Sequence, residues 1–451
     1  MKKIIIVGAG ITGLTLGYRL KKKLGNSHEI IILEKNNEAG GWIQTIEENN
    51  FLFELGPRSC RAKGNGIHTL QLIEDLGITD QVIVGNASAK YRYLYKDHKL
   101  QALPSGLFSA LTSPLMRGVP KALFKERNIP ALQGTDESIY DFFMRRFNRH
   151  ITETFIDPLC SGIYAGDIRE LSIRSCFPKI YEWEQLHGSV IRGALAKKEK
   201  EQNLSHFVQK MQKFPLFSFK KGMKTLTDTL ANHLKNQIHF NKEITKIENR
   251  KKLSVHLQEG PPLECDHLYL CIPANQCRKF LENSFEMKTS SIAVACIGYN
   301  NKVFKRKGFG HLIPSKEQEN MLGVVWDSSV FPEQNKNENQ IRLTAMLGGS
   351  HQPEIIDKPE SEIKQIVLEG LQKQMNIDAI PDFVSIHYAK NAIPQYTIGH
   401  NSRVQEMQRS FAKISENITL LGNSYHGVAV NDCIARANAT ATKFQTSDKL
   451  F

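Results

Sequence analysis

Ile4-Ile5-Ile6-Val7 is an unbroken β-branched run, the pattern of a strand covered on both faces. A Gly-rich turn follows, then a helical stripe at Leu14, Leu16, Leu20 and Leu24, then a second apolar strand over 29–33. From about Leu100 to Lys200 the pattern turns helical and mixed, and Pro104, Pro114, Pro120 and Pro130 cut it into short pieces. A helix is predicted from about Lys220 to His233. The segments 237–240, 244–247 and 253–257 alternate like strands of a meander, and 268–274 reads as a buried strand. Further strand-like runs fall at 293–298, 322–326 and 341–347. Near the C-terminus, 418–421 is again strand-like and ends at Gly422, before an apolar helix from about Val428. No internal repeat is visible.

The first Gly turn carries the chemistry. Gly8-Ala9-Gly10-Ile11-Thr12-Gly13 follows a strand and opens a helix. Gly8 permits the tight turn, Gly10 lets a pyrophosphate approach the backbone, and Gly13 lets helix and strand pack closely. The helix N-terminus offers free N–H groups to phosphate. Glu34 closes the second strand, about 20 residues beyond the glycines, where an acidic side chain accepts hydrogen bonds from ribose hydroxyls. The expected class is therefore α/β, a Rossmann-like dinucleotide domain interrupted by other lobes. It is assembled from 1–85, 205–280 and 410–451, with a helical lobe over 86–204 and an α+β, sheet-based substrate lobe over 281–409. A ligand cleft is expected where these lobes meet.

The 451 residues exceed one ordinary domain, and 41% hydrophobic content is enough for sizeable cores. Lys plus Arg number 59 against 46 Asp plus Glu, a net +13. That excess suits an anionic partner, whether nucleic acid, an acidic lipid surface or a carboxylate-bearing substrate, and charge alone does not choose. The runs Lys21-Lys22-Lys23 and Lys305-Arg306-Lys307 read as solvated faces. The eight cysteines form no C-x-x-C pair and no ligand-like spacing, so no metal is expected and a reducing compartment is. Met1-Lys2-Lys3 leads straight into the first strand, which does not read as a signal peptide, and no apolar run is long enough to span a bilayer. The stretch from Leu103 to Lys125 is apolar, contains Arg117 and Lys121 and has no acidic residue. It reads either as a segment lying on an anionic bilayer surface or as a core-facing helix pair.

The Glu34 strand end, followed six and seven residues later by Gly40-Gly41, resembles the extended FAD signature of amine-oxidase-type flavoproteins, and the Ile418–Asn423 segment resembles their second flavin-contact motif. In that motif Asp commonly follows the Gly, whereas here Asn423 does, then Ser424-Tyr425. A longer set resembles the oxygen-dependent, mitochondrial-type protoporphyrinogen oxidases. It comprises Gly40-Gly41-Trp42-Ile43, Phe53-Glu54-Leu55-Gly56-Pro57-Arg58, Tyr164-Ala165-Gly166 and the segment from Arg169 to Pro178. It continues with Gly308 to Pro314, Phe331-Pro332-Glu333-Gln334, Met346 to Ser350, Ile393 to Thr397 and Gly427 to Ile434.

The resemblance covers nearly the whole chain. It implies a flavin domain with an inserted substrate lobe and a helical, membrane-associating lobe, and FAD as cofactor. The implied reaction removes six electrons from protoporphyrinogen IX in three two-electron steps, with O2 as acceptor and H2O2 as product. Coproporphyrinogen III is the alternative substrate. An amine oxidase shares the flavin signatures, but the residues around Cys433 do not fit covalent flavin attachment. Hydride transfer to a flavin requires orientation more than an acid or base, and no catalytic residue is assigned.

The resemblance also implies site residues. Arg92, between Tyr91 and Tyr93, is the expected propionate-binding cation, since a guanidinium grips a carboxylate through two hydrogen bonds. Gly310, Leu312, Val325 and Met346 are the expected macrocycle contacts. The cofactor set adds Lys35, Gly41, Trp42, Gly56, Pro57, Arg58, Ser59, Ile244, Val428, Ala429 and Val430 to the six residues of the first turn and Glu34. Implied partners are the porphyrinogen, O2 and a membrane surface, with ferrochelatase hand-off and a homodimer as further candidates and nucleic acid excluded. The implied location is the cytoplasmic face of the cell membrane in a bacterium, or the mitochondrial inner membrane in a eukaryote.

Overall fold

In the computed structural model the described residues are 1–196, 203–282 and 286–444. Parts of the stretches 86–204, 281–409 and 410–451 assigned above therefore lie outside the described residues. The β-branched N-terminal run forms the middle strand of a five-stranded parallel sheet, its order Ile238–His239, His28–Leu33, Lys2–Val7, His267–Leu270 and Ile418–Leu420. Segments far apart in sequence thus share one sheet. Ile4, Ile5 and Ile6 are fully buried, because helices Ile11–Leu24 and Val430–Lys443 cover one face and His400–Ile414 packs near the other. The meander is present as Ile244–Asn249, Leu253–Leu257 and Leu263–Cys265, while the 237–240 segment leaves it to edge the parallel sheet.

A second sheet of seven strands runs Phe383–Pro394, Thr289–Tyr299, Ile341–Gly348, Met321–Val325, Gly310–Leu312, Tyr93–Lys96 and Lys99–Ala102. Its last two strands come from the stretch expected to be helical. Tyr93-Leu94-Tyr95 alternates too briefly to register as a strand against the helical pattern around it. It is held between the antiparallel partner Lys99–Ala102 and the parallel edge of Gly310–Leu312. In the same way His400–Ile414, at the end of the stretch expected to be substrate lobe, puts Val404, Met407 and Phe411 into the core beneath the nucleotide sheet.

Between Val119 and Leu195 lies a helical lobe with its own core of Ile139, Phe142, Tyr164, Leu171 and Ile173. Arg146 and Glu126 are fully buried there and paired, and Ser189 Oγ and Val190 N–H also donate to the Glu126 carboxylate. A buried pair with its remaining hydrogen-bonding capacity filled is tolerated, whereas a lone charge would not be. No helix among the described residues is long and apolar enough to cross a membrane.

Candidate functional site

The first Gly turn sits at the C-terminal edge of the parallel sheet, where Gly8 N–H donates to Leu33 O at 2.7 Å. Gly8 has φ +99°, and a Cβ there would stand 2.7 Å from Cys271 O, so the position requires glycine. Gly10 is different. Its backbone is ordinary extended chain, and a Cβ would meet no protein atom within 4 Å. The free space in front of Gly10, at the start of helix Ile11–Leu24, is where a pyrophosphate would lie on the N–H groups of that first turn. Ala9 and Thr12 are buried, and Ile11 begins the helix.

Glu34 is buried beside this turn. Its Oε2 accepts the Ala9 N–H at 2.8 Å and its Oε1 the Asn36 N–H at 3.0 Å. Each oxygen keeps a second lone pair for a ribose hydroxyl. Lys35 is exposed beyond it. Lys242 N–H donates to Glu34 O at 2.8 Å, so the chain leading to the buried Ile244 passes alongside the same strand end.

A second layer comes from the Gly-Gly and Gly-Pro-Arg loops. Gly10 and Gly40 form an isolated parallel bridge, and Gly41 lies against Gly10 Cα. Gly56 packs on the Trp42 carbonyl so closely that a Cβ would come within 1.9 Å. That contact carries Pro57, Arg58 and Ser59, all half-buried, to the edge of the nucleotide region. From the other side Val428 and Ala429 lead into helix Val430–Lys443, while Tyr396 Oη donates to Asn423 O and accepts the Gly427 N–H. Asn423 is therefore tied through its backbone, and Ser424 Oγ accepts the Ala274 N–H at 3.2 Å. These contacts bring together the first turn, Glu34, Gly40-Gly41 and, through Trp42, the loop Gly56–Ser59, and Val430 packs into the same core as Ile11, whereas Ile244 lies in the core on the other face of the parallel sheet.

The seven-stranded sheet supplies the opposite wall. Leu312 pairs with Gly323, which pairs with Met346, and in the next row Gly310 pairs with Val325, which pairs with Thr344. Residues opposite each other, or two apart on a strand, share a face. Leu312, Val325 and Met346 therefore lie on one side of the sheet with Gly323 between them, and all three are only half-buried. An apolar floor results, with Leu312 also lying against Gly162 of helix Asp157–Tyr164. Gly310 has φ +141°, and a Cβ there would stand 2.2 Å from Val324 O.

Arg92 is exposed and precedes the strand that pairs with Gly310–Leu312. Its guanidinium lies 5.3 Å from the Phe309 ring centre, and Phe309 N–H donates to Tyr91 O. Desolvation and then the neighbouring Arg61 charge hold its pKa below the usual arginine range. An anion arriving there would relieve both costs.

Sequence reasoning did not single out the buried charges between the two walls. Glu54 is 5% exposed, its Oε1 accepting Met223 N–H at 2.7 Å and its Oε2 Thr45 Oγ1–H at 2.8 Å. Burial pushes its carboxyl up to about 7 against those donors and Arg58. Asp327, in the turn after Val325, is raised by burial although Arg58 and Arg342 face it. Glu54 lies inside the quoted Phe53–Arg58 segment. Asp327 carries no signal beyond following Val325-Trp326.

Residues 11–443 match the family model described as flavin containing amine oxidoreductase. The chain belongs to that family. It is an FAD-dependent oxidoreductase. Within the family it is 31% identical to protoporphyrinogen oxidase of Bos taurus over 98% of both chains, and 31% identical to that of Homo sapiens over the same shares. It is 28% identical to coproporphyrinogen III oxidase of Bacillus subtilis, over 98% of this chain and 97% of the relative. Among solved structures, one from Exiguobacterium sp. superposes with TM-score 0.81 at 22% identity over 98% of both chains. A reduced UDP-galactopyranose mutase does so with TM-score 0.70 at 16%, over 98% of this chain and 94% of the other. At such identities these two establish the fold alone. Among the described residues no group of His, Cys, Asp and Glu could hold a metal ion, and all eight cysteines are free.

Proposed function

We propose that this protein oxidises protoporphyrinogen IX to protoporphyrin IX, removing six electrons in three two-electron steps and passing them to O2 as H2O2. The observation that carries this reading is the floor of Leu312, Val325 and Met346, with Arg58 of the cofactor loops at one side and Arg92 at the other. The identity to protoporphyrinogen oxidases over almost the whole chain supports it. FAD, when bound, supplies the two-electron chemistry and its reoxidation by O2.

The chain's own residues position the substrate. The apolar floor takes one face of a flat macrocycle and removes it from water, and Gly323 lets Leu312 lie against the neighbouring strand, since a Cβ there would stand 3.1 Å from Leu312 Cδ2. Arg92 anchors a propionate at the rim and so fixes which edge of the macrocycle faces the cofactor. Aromatisation of the macrocycle drives the overall reaction, which explains why the site can lack a dedicated acid or base.

Coproporphyrinogen III is the second reading, favoured by the Bacillus subtilis relative and by the neighbouring positive charges of Arg61 and Arg92, which suit a substrate with more carboxylates. Oxygen uptake with either porphyrinogen tests the proposal. Three O2 consumed and three H2O2 formed per protoporphyrin IX support it, uptake with coproporphyrinogen III alone favours the second reading, and no uptake with either opposes both.

The reading extends to peripheral attachment at a membrane surface. Leu123 and Phe124 are exposed on helix Val119–Glu126, Phe124 by 71%, among exposed Arg117, Lys121, Lys125 and Arg127. Leu186 and Leu195 on the following helices are 76% and 72% exposed. Apolar tips set in a basic field are the chemistry of an anionic bilayer contact.

A further inference from the structure

The two walls of the cleft are joined by one chain of side chains. Thr344, on strand Ile341–Gly348 two residues before Met346, donates through Oγ1 to Asp327 Oδ2 at 2.7 Å. Asp327 Oδ1 faces Arg58 Nε at 3.7 Å, across from the substrate sheet to the cofactor loop. Arg58 Nε and Nη2 are buried and make no hydrogen bond, whereas Nη1 lies 3.9 Å from Met346 Sδ. Ser218 Oγ donates to the Arg58 carbonyl and so holds the backbone, not the guanidinium. The second arginine near Asp327, Arg342, is already committed to Leu52 O, Phe331 O and Asn335 Oδ1. Cys296, which pairs with Thr344 across the sheet, is buried and neutral. Asp327 is thus the nearby carboxylate with a free edge for Arg58, since both Glu54 oxygens already accept hydrogen bonds.

We propose that Asp327 is a positioning residue: its carboxylate, oriented by Thr344, holds the buried edge of the Arg58 guanidinium so that Nη1 is presented beside Met346, where cofactor and macrocycle meet. Asp327 touches neither ligand and acts through Arg58. An arginine left to choose its own rotamer would spread over several directions, and a fixed one loses less entropy on meeting an acceptor. The inference rests on the function proposed above for what the cleft holds, but its test does not depend on the identity of the porphyrinogen.

The test is a double-mutant cycle on Asp327→Asn and Arg58→Gln, read first as FAD affinity of the apoprotein by flavin fluorescence quenching, then as kcat and KM. Asn retains an acceptor for Thr344, so the fold should hold. Asp327→Asn should weaken FAD binding or lower kcat by about tenfold, the loss of one charged contact, with KM changed by less than about threefold. In the Arg58→Gln background it should cost nothing further. Thr344→Val, which leaves the ion pair itself in place, should show a smaller loss that likewise vanishes when Arg58 is Gln. Additive losses in the two backgrounds would overturn the proposal, and so would wild-type FAD affinity and kcat in Asp327→Asn.

Discussion

A methyl group on Gly13 would stand 2.0 Å from the carbonyl oxygen of Gly8. Helix Ile11–Leu24 can therefore approach the turn this closely at its start because this position is glycine. Gly10 lies between the two and faces free space, so one motif contains positions needed for folding and a position needed for ligand.

That difference gives a clean variant. Gly10→Val replaces a glycine of ordinary extended backbone at which a Cβ would meet no protein atom within 4 Å, so the apoprotein should fold with an unchanged circular dichroism spectrum. FAD binding should fall at least a hundredfold, because the side chain fills the phosphate position. Gly13→Ala should instead destabilise the apoprotein itself. A yellow Gly10→Val protein would contradict the phosphate assignment.

Arg92→Ala should raise KM for the porphyrinogen roughly tenfold or more and leave kcat and flavin content nearly unchanged, as expected when a charged contact to a distant carboxylate is lost. Arg92→Lys should fall between, since an ammonium keeps the charge but not the paired hydrogen bonds. Steady-state kinetics at several substrate concentrations separates these outcomes from a loss of kcat.

Leu312→Ala removes part of the apolar floor without touching either cation. Losing the burial of one such side chain costs about 1.5–3 kcal/mol, so KM should rise on the order of tenfold or more. Flavin affinity should stay as in the unaltered protein, and a change in it would place Leu312 elsewhere.

Glu54 links acidity to stability. Its carboxyl ordinarily titrates near 4.5 and in the fold at about 7, so between those values the folded chain holds a proton that the unfolded chain has released. Stability should therefore fall as pH rises through that window, by up to about 3 kcal/mol. Glu54→Gln keeps an acceptor for Met223 N–H and should flatten the profile between about pH 5 and 8. Denaturant unfolding at a series of pH values reads this directly.

The nucleotide half of the molecule was legible because its signals are local. The run Ile4 to Val7, the glycines and Glu34 lie within one short stretch, and each has its own steric or hydrogen-bonding reason. The apolar floor could be named only through resemblance, since Leu312, Val325 and Met346 meet through strand register, which no one segment encodes. The hairpin from Tyr93 to Ala102 was hidden in part for the same reason, since it joins the sheet along an edge more than 200 residues away in the chain. Asp327 and Glu54 look like any acidic residue until burial shows what surrounds them. In the motif near Gly422, the expected Asp is replaced by Asn423, and the structure ties that position through its backbone to Tyr396.

The most direct measurement is porphyrin fluorescence in air, with protoporphyrinogen IX and coproporphyrinogen III supplied in turn to the purified yellow protein. The expected result is a higher kcat/KM with protoporphyrinogen IX, accompanied by peroxide. A preference for coproporphyrinogen III would keep the fold, the cofactor and the cleft but contradict the proposed substrate, and a yellow protein inert to both would contradict the function itself.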